Sequence, residues 1–316
     1  MMVLIIASFC SISLCFAKEV NVVTGKIYNE IINTAEKEDW RMAYGDVSSD
    51  NKNIYQNYLF KTKQKYLLLR DEKARLAQFY LVLSRDGKKA AFWLSDDNEP
   101  KDDLYIVNSN GTGQAQILKV DSGAVIAWSP DDNKIAFVSD IIDRKVDPVA
   151  SLYIVDINTK IVHKILSGGI NQLSYQAWSP NGNKIVYGYS GKIFIYDFKQ
   201  QKSIFLAEGI EPHWSPTEEK ILYYDTAKKS LNLLKVGNIQ NLEGGIISEE
   251  LVSSEELGHG DITTPFFWLP DGEYIFIGHL SPEEGEIGLP YVMKVESGEI
   301  EKLPDVSWYF STWARP

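Results

Sequence analysis

Short runs of apolar and aromatic residues, separated by polar turn residues, fill the chain from residue 39 to its C-terminus. The runs are rich in β-branched and aromatic side chains and too short for helices, so they predict strands. Many of them follow a phrase of the form Trp-Ser-Pro-Asp-Gly. This phrase predicts a tight turn, because Pro fixes φ, Asp bonds to its own backbone and Gly supplies positive φ. Copies and variants of the phrase begin at Leu83, Trp128, Trp178, Trp214 and Trp268.

The phrase recurs at steps of 45, 50, 36 and 54 residues. Periods of this length indicate a circular or stacked repeat protein. In each repeat the phrase turn links a first strand to a second, and two further runs complete a four-stranded antiparallel unit, as in a propeller blade. A Trp at the start of the phrase offers a large flat surface, so we expect it to pack between neighbouring blades.

The two ends of the chain together predict one more blade. Trp313 lies 45 residues after Trp268, where a sixth phrase should begin, and the chain supplies a first strand there. Segments 40–44, 54–60 and 65–69 resemble the second, third and fourth strands. The sequence therefore predicts an all-β fold, a six-bladed β-propeller of four-stranded antiparallel blades closed by a composite blade from both termini.

The first residues of the chain differ from the repeats. The apolar stretch from Val3 to Phe16 is too short for a comfortable bilayer span and is typical of a secretory signal. Small residues Cys15 and Ala17 precede Lys18, as at a cleavage site. We therefore predict a signal peptide over residues 1–17, a periplasmic or extracellular location, and no membrane span after its removal. A buried N-terminal strand is the alternative interpretation.

Between the predicted cleavage point and the propeller, residues 18–38 form an extension. Apolar residues at i, i+3 and i+4 spacing from 24 to 38 predict a short helix, with Thr24 as its N-cap. The propeller itself is expected to occupy residues 39–316.

Composition excludes several classes of function. The chain has 316 residues with 32 basic and 43 acidic side chains, a net charge of −11. This balance argues against a nucleic-acid partner, which needs clustered Lys and Arg. Both cysteines, Cys10 and Cys15, lie inside the predicted signal peptide. The mature chain would then have no disulfide, no Cys nucleophile and no Cys-based metal site.

Three repeats begin AWSPDDNKIAFVSD, AWSPNGNKIVYGYS and HWSPTEEKILYYD. They closely resemble the units of TolB-like β-propellers, a family whose fold also occurs in propeller domains of prolyl-oligopeptidase-type enzymes. The resemblance covers residues 39–316 and implies the fold more than any role. No Gly-x-Ser-x-Gly nucleophile elbow is present. The resemblance therefore implies a non-catalytic protein- or peptide-binding scaffold in the cell envelope. The alternative is a hydrolase or lyase, metal-assisted and acting on carbohydrate, with its site at the channel mouth.

The longer loops of the chain are predicted to share one face. In a propeller, the connections from second to third strand and those between blades lie on the same side, and loops on a rigid scaffold often carry function. Acidic residues in these loops predict a negative rim that attracts a cationic partner, although charged loops also serve solubility alone. The rim residues are Asp96, Asp97, Asp140, Asp143 and Glu283.

Further candidates lie along the predicted channel. Strand alternation places five residues at the channel wall, namely Gln176, Glu211, Thr263, Thr264 and Trp308. A peptide or small ligand in the channel would be anchored by Tyr175 or Trp308. His259 and His279 would converge on one face and form a metal site or acid–base pair. The alternative is that they are separate surface or core histidines. Their spacing matches no local ligand motif, so no metal or other cofactor is predicted.

Overall fold

Every strand that the structure describes belongs to one of six four-stranded antiparallel sheets. The structure is a computed structural model. The residues that it describes are 25–47, 53–71, 81–95, 101–121, 123–139, 150–167, 173–236, 247–257, 262–279, 290–303 and 311–315. The predicted signal peptide lies outside these ranges.

The elements follow one another with short connections. The helix and the first strands are α1 (Lys26–Lys37), β1 (Arg41–Val47), β2 (Asn53–Leu59), β3 (Gln64–Asp71), β4 (Val82–Leu83), β5 (Lys89–Ser95), β6 (Asp102–Asn108) and β7 (Ala115–Val120). The next are β8 (Gly123–Trp128), β9 (Lys134–Ser139), β10 (Ser151–Asp156), β11 (Val162–Ser167), β12 (Leu173–Trp178), β13 (Lys184–Tyr189), β14 (Lys192–Asp197) and β15 (Lys202–Glu208). The last are β16 (Ile210–Trp214), β17 (Lys220–Asp225), β18 (Ser230–Lys235), β19 (Ile247–Ser253), β20 (Ile262–Trp268), β21 (Tyr274–His279), β22 (Tyr291–Lys294), β23 (Glu299–Lys302) and β24 (Ser311–Ala314).

Six blades form a closed ring. Blade 1 has the strand order β24-β1-β2-β3, and blades 2 to 6 take β4 to β23 in successive groups of four. The first strand of each blade is its inner strand and borders the channel. In ring order these strands are β24, β4, β8, β12, β16 and β20, and each contacts the next. β24 pairs antiparallel with β1, from Arg41 opposite Ala314 to Tyr44 opposite Ser311. The predicted composite blade and the six-bladed count are therefore confirmed.

The phrase turn is held together by its serine. In blade 3, the buried Ser129 hydroxyl donates to Asp131 Oδ1 at 2.5 Å and accepts from the Lys134 amide at 2.9 Å. Blades 2 and 4 repeat both bonds at the same positions, around Ser84 and Ser179. The turn is thus a rigid hydrogen-bonded unit, and it sets the register of the two strands that it joins.

The phrase tryptophans pack between blades, as the sequence predicts. In three of the four, the indole Nε1 atom donates to a main-chain carbonyl of the preceding blade, at the residue just before that blade's own phrase, whereas the buried Nε1 atom of Trp214 has no partner among the described residues. The pairs are Trp128 with Val82 O at 3.0 Å, Trp178 with Ala127 O at 3.1 Å, and Trp268 with His213 O at 3.1 Å. Each of these three indoles therefore contributes both apolar contact and one bond of fixed direction to the joint between two blades.

Helix α1 covers the seam between blade 6 and blade 1. Its buried face, Ile27, Ile31 and Ala35, packs in one core with side chains of both blades. The first turn is capped from blade 6, because the Glu301 carboxylate accepts from the amides of Ile27 at 2.8 Å and Tyr28 at 3.4 Å. Gly25 occupies the N-cap position, so the prediction that Thr24 is the N-cap was wrong. The carboxylate that caps the helix comes from strand β23 of blade 6 rather than from residues next to the helix in the sequence.

The helix also explains an irregular phrase. In blade 6 the phrase reads Trp-Leu-Pro-Asp-Gly, with Leu269 where other copies have Ser. Leu269 is fully buried in the core that α1 shares with blades 6 and 1. Nearby, Glu30 of the helix accepts from Lys294 Nζ and from the Tyr274 hydroxyl, both at 3.0 Å. Helix α1 is therefore attached to blade 6 both by apolar packing against Leu269 and by the hydrogen bonds of Glu30.

Candidate functional site

Four consecutive inner strands share a β-bulge at one repeat position. Register shifts occur within β8, β12, β16 and β20, close to the start of each strand. The residues left out of the register there lie two to four residues before the phrase Trp, and they are Val125, Tyr175, Glu211 with Pro212, and Thr264 with Pro265. Inner strands begin at the face that carries the connections between blades, which we call the loop-rich face. These backbone positions therefore lie on the part of each inner strand that is nearer the loop-rich mouth of the channel.

The backbone is strained at two of the bulges. Val125 has φ 23° and Glu211 has φ 55°, both in the left-handed region that non-glycine residues rarely adopt. Such conformations cost on the order of 1–3 kcal/mol each and persist where the surrounding structure enforces them. Their recurrence at equivalent positions of blades 3 and 5 marks the bulge as a regular feature of this ring.

Glu211 is the predicted site residue whose side chain the structure describes. It lies on β16, the inner strand of blade 5, and is 8% exposed. A buried carboxylate is costly unless donors or a cation stabilise its charge. Its strand is the first strand of blade 5, as the repeat predicts, and its part in binding stays a prediction.

Gln176 ties one bulge to the next blade. Its Nε2 atom donates to Val125 O at 2.6 Å and to Ala136 O at 3.3 Å, both in blade 3. Alternation along β12 predicts that Gln176 lines the channel, but the structure places it between blades 3 and 4. Its buried Oε1 atom has no hydrogen-bond partner within the part of the chain that the structure describes. The Gln176 side chain therefore bonds to the main chain of Val125, where the backbone is strained. Its amide oxygen is a buried acceptor that a further donor could reach.

His213 is an interface residue rather than a channel residue. The sequence places it on an inner strand with access to the channel. The structure packs its ring edge-on against Phe266 of blade 6, with centroids 5.2 Å apart. Burial lowers the pKa of His213 to about 4, so the imidazole is neutral near pH 7. A general acid or metal ligand facing the channel is therefore not assigned to this residue.

The other mouth of the channel is crossed by an arginine. Arg85 stands where the other phrases have Pro, and its Nη2 atom donates to Pro216 O at 2.5 Å. These residues belong to the phrase turns of blades 2 and 5, which face each other across the six-membered ring. Asp132 of blade 3 fixes the same turn by accepting from the amides of Arg85 at 2.7 Å and Asp86 at 3.0 Å. Sequence reasoning missed this bridge, although the absence of Pro from one phrase was its visible signal.

The remaining predicted site residues are not described in their side chains. Tyr175 occupies the bulge of β12, and His279 ends β21 opposite Ile262. The others lie outside the described residues, namely Asp96, Asp97, Asp140, Asp143, His259, Glu283 and Trp308. The acidic rim and the histidine pair therefore stay predictions. Within the described ranges, no group of three or more His, Cys, Asp or Glu could hold a metal ion. No helix in those ranges is long and apolar enough to cross a bilayer.

The ring, the phrase turns and the composite blade define a six-bladed β-propeller of the TolB-like fold. A family profile described as the Dipeptidyl peptidase IV (DPP IV) N-terminal region matches residues 145–212. That match spans the end of blade 3, blade 4 and the start of blade 5. A search of curated protein sequences finds no match.

Solved structures share the fold at low sequence identity. TolB from Acinetobacter baumannii is 18% identical with a TM-score of 0.54, over 84% of this chain and 69% of that chain. The propeller domain of the Trilobed protease from Pyrococcus furiosus is 15% identical with a TM-score of 0.58, over 85% and 81%. Oligogalacturonate lyase in complex with manganese is 14% identical with a TM-score of 0.60, over 87% and 76%. Such similarity establishes the architecture and leaves the function to the site.

Proposed function

We propose that this chain is a non-catalytic propeller that binds a protein or peptide at the loop-rich mouth of its channel. The observation that carries the proposal is the repeated bulge. It places Val125, Tyr175, Glu211 and Thr264 on inner strands near that mouth. An apolar, an aromatic, an acidic and a hydroxyl-bearing residue type together suit the recognition of a peptide, which uses aromatic anchors and polar groups.

Charge favours a cationic element in the partner. Glu211 is buried beside the channel, and the whole chain carries a net charge of −11. A Lys or Arg side chain inserted at the mouth would meet a carboxylate in a partly desolvated site, where ion pairing is stronger than at the surface. The acidic loops of the same face would then speed the encounter.

The location that we propose is the cell envelope. Its basis is the signal-like pattern of residues 1–17, and the TolB-like fold is consistent with export. Mass spectrometry of the chain from its native cells tests this directly. A mature N-terminus at Lys18 supports the location, whereas a retained Met1 in a cytoplasmic fraction overturns it.

Capture from an envelope extract on the immobilised mature chain identifies the partner. Glu211→Gln then removes the charge and keeps the shape of the side chain. We expect it to weaken capture at least about tenfold, the equivalent of about 1.4 kcal/mol. The matched control is Glu249→Gln, the same change at an exposed carboxylate on the outer strand of the same blade, and it should leave capture unchanged.

Two results would contradict the proposal. Equal capture by the Glu211→Gln and Glu249→Gln variants would remove the mouth from the interaction. A stoichiometric metal ion in the purified chain, accompanied by turnover of a carbohydrate or peptide, would favour the hydrolase or lyase alternative. Neutralising Asp140, Asp143 and Glu283 together tests the acidic rim, because slower association at low salt is expected if the rim steers the partner.

A further inference from the structure

Blades 3 and 4 leave a groove between them, away from the channel mouth. Its volume is about 520 Å³. Blade 3 supplies three isoleucines, Ile154, Ile161 and Ile165, and blade 4 supplies Trp178 and Phe198. The groove also borders a phrase turn of blade 4 and the turn before β11, so it opens toward the face opposite the proposed partner site.

Trp178 is more exposed in this groove than the equivalent phrase tryptophans of the other blades. Trp128, Trp214 and Trp268 are 8%, 5% and 8% exposed, but Trp178 is only half-buried. Its ring stacks on Phe198 with centroids 5.4 Å apart and an interplanar angle of 28°. Phe198 supports the indole from one side, and the bond from its Nε1 atom to blade 3 holds it in one orientation, so the part of Trp178 that lines the groove is fixed before any ligand arrives.

The rim of the groove carries donors and acceptors whose charges balance. The Asp156 carboxylate accepts from the amides of Asn158 and Thr159 and from the Thr159 hydroxyl. These bonds, with help from nearby Lys134, hold the pKa of Asp156 below its usual value, so the group is ionised. Lys134 supplies the opposite charge, and the exposed His163 adds a further polar edge. A neutral ligand with hydroxyl groups fits this rim better than an ion does.

We infer that this groove binds a neutral carbohydrate, with a pyranose ring stacked on Trp178 and its hydroxyls bonded to Lys134, Asp156 and His163. A pyranose has one apolar face and a periphery of hydroxyls, which matches an aromatic platform with a mixed polar rim. The volume lies within the range of about 300–1,000 Å³ that small-ligand sites occupy. The inference is independent of the partner site, because none of these residues lies at the loop-rich mouth.

Saturation-transfer NMR on the purified full chain tests the inference. The probes are the neutral trisaccharides cellotriose, maltotriose and triacetylchitotriose. Trigalacturonic acid is the anionic comparison, and the amphiphilic aromatic dye anilinonaphthalene sulfonate tests for non-specific hydrophobic binding. We expect at least one neutral trisaccharide to bind at millimolar concentration or below, with quenching of tryptophan fluorescence. No binding of any neutral trisaccharide at millimolar concentration overturns the inference, as does binding of the dye or the anionic sugar alone.

Variants locate the binding. Trp178→Leu removes the platform and should weaken binding at least tenfold. Lys134→Met and His163→Ala leave the packing of blades intact, and each should weaken binding several-fold. Lys202→Met changes an exposed lysine on β15 outside the groove and should have no effect. Unchanged affinity in Lys134→Met and His163→Ala would place the sugar elsewhere and refute the assignment. Glu211→Gln should leave sugar binding intact even if it abolishes partner capture.

Discussion

The stability of this propeller should respond to pH through two groups that act in opposite directions. Burial lowers the pKa of His213 from 6.5 to about 4, and burial raises the pKa of Asp271 from 3.8 to about 6. Asp271 belongs to the irregular phrase of blade 6, where Leu269 replaces the serine that stabilises the corresponding carboxylate in blades 2 and 3. The unusual pKa of Asp271 thus follows from the packing of α1 over that turn.

The signs of the two contributions can be worked out from proton uptake. Native His213 stays neutral while the unfolded chain takes up a proton below pH 6.5, so its contribution to stability is lost as the pH falls from 6.5 to 4. Native Asp271 keeps a proton that the unfolded chain releases, so its contribution is lost as the pH rises from 3.8 to 6. One pKa unit corresponds to about 1.4 kcal/mol, so each group changes the free energy of unfolding by about 3 kcal/mol at most. Asp271 is half-buried, which reduces its contribution to about 1–3 kcal/mol.

Guanidinium unfolding of two variants between pH 4 and pH 7 separates the two contributions. Asp271→Asn keeps the acceptor for the Glu273 amide and should gain about 1–3 kcal/mol over the wild type at pH 7 and little at pH 4. His213→Gln should show the reverse trend, with its largest relative gain at pH 4. In the wild type the two slopes oppose each other between pH 4 and 6. A difference from the wild type that does not vary with pH, in either variant, would refute the burial argument for that group.

Other predictions test the packing of the ring. Ile31→Ala in the buried face of α1 should lower the free energy of unfolding by about 2–5 kcal/mol, whereas Asn33→Ala on its exposed face should change it by less than about 0.5 kcal/mol in denaturant titrations. Gly123→Ala would place a Cβ atom 2.5 Å from the fully buried indole of Trp93, so a loss of soluble yield or a lower Tm is expected, and a wild-type Tm would contradict the contact. Arg85→Ala should change overall stability by less than about 1 kcal/mol but speed amide hydrogen exchange in the phrase turn of blade 5, and unchanged exchange would show that the bridge is not formed in solution.

The fold could be predicted from the sequence because each repeat is determined by residues that are close together in the chain. Ser129, Pro130 and Asp131 determine a turn by themselves, and Trp128 marks the joint to the preceding blade. The spacing of the phrase also placed the last strand, β24, beside β1, as the structure confirms. Local rules were sufficient for the turns and strands within a repeat, and the regular spacing of the repeats was sufficient for the joints between blades and for closure.

The details of the site depend on contacts between residues of different repeats. The local sequence pattern does not show which of these residues meet. The bulges of the inner strands shift the alternation, so Gln176 faces blade 3 rather than the channel. The cap of α1 comes from Glu301, more than two hundred residues away along the chain. Arg85 likewise finds its acceptor in another blade. In each case a tertiary contact determines the hydrogen-bond partner of the side chain, which the local sequence pattern does not specify.

The Arg85 bridge makes the two ends of the central passage unequal. The bond from Arg85 to the Pro216 carbonyl joins blades 2 and 5 across the end that the phrase turns form. A partner segment that entered from the loop-rich side would meet this side chain before it reached the opposite face. We therefore expect a partner to enter and leave on the loop-rich side.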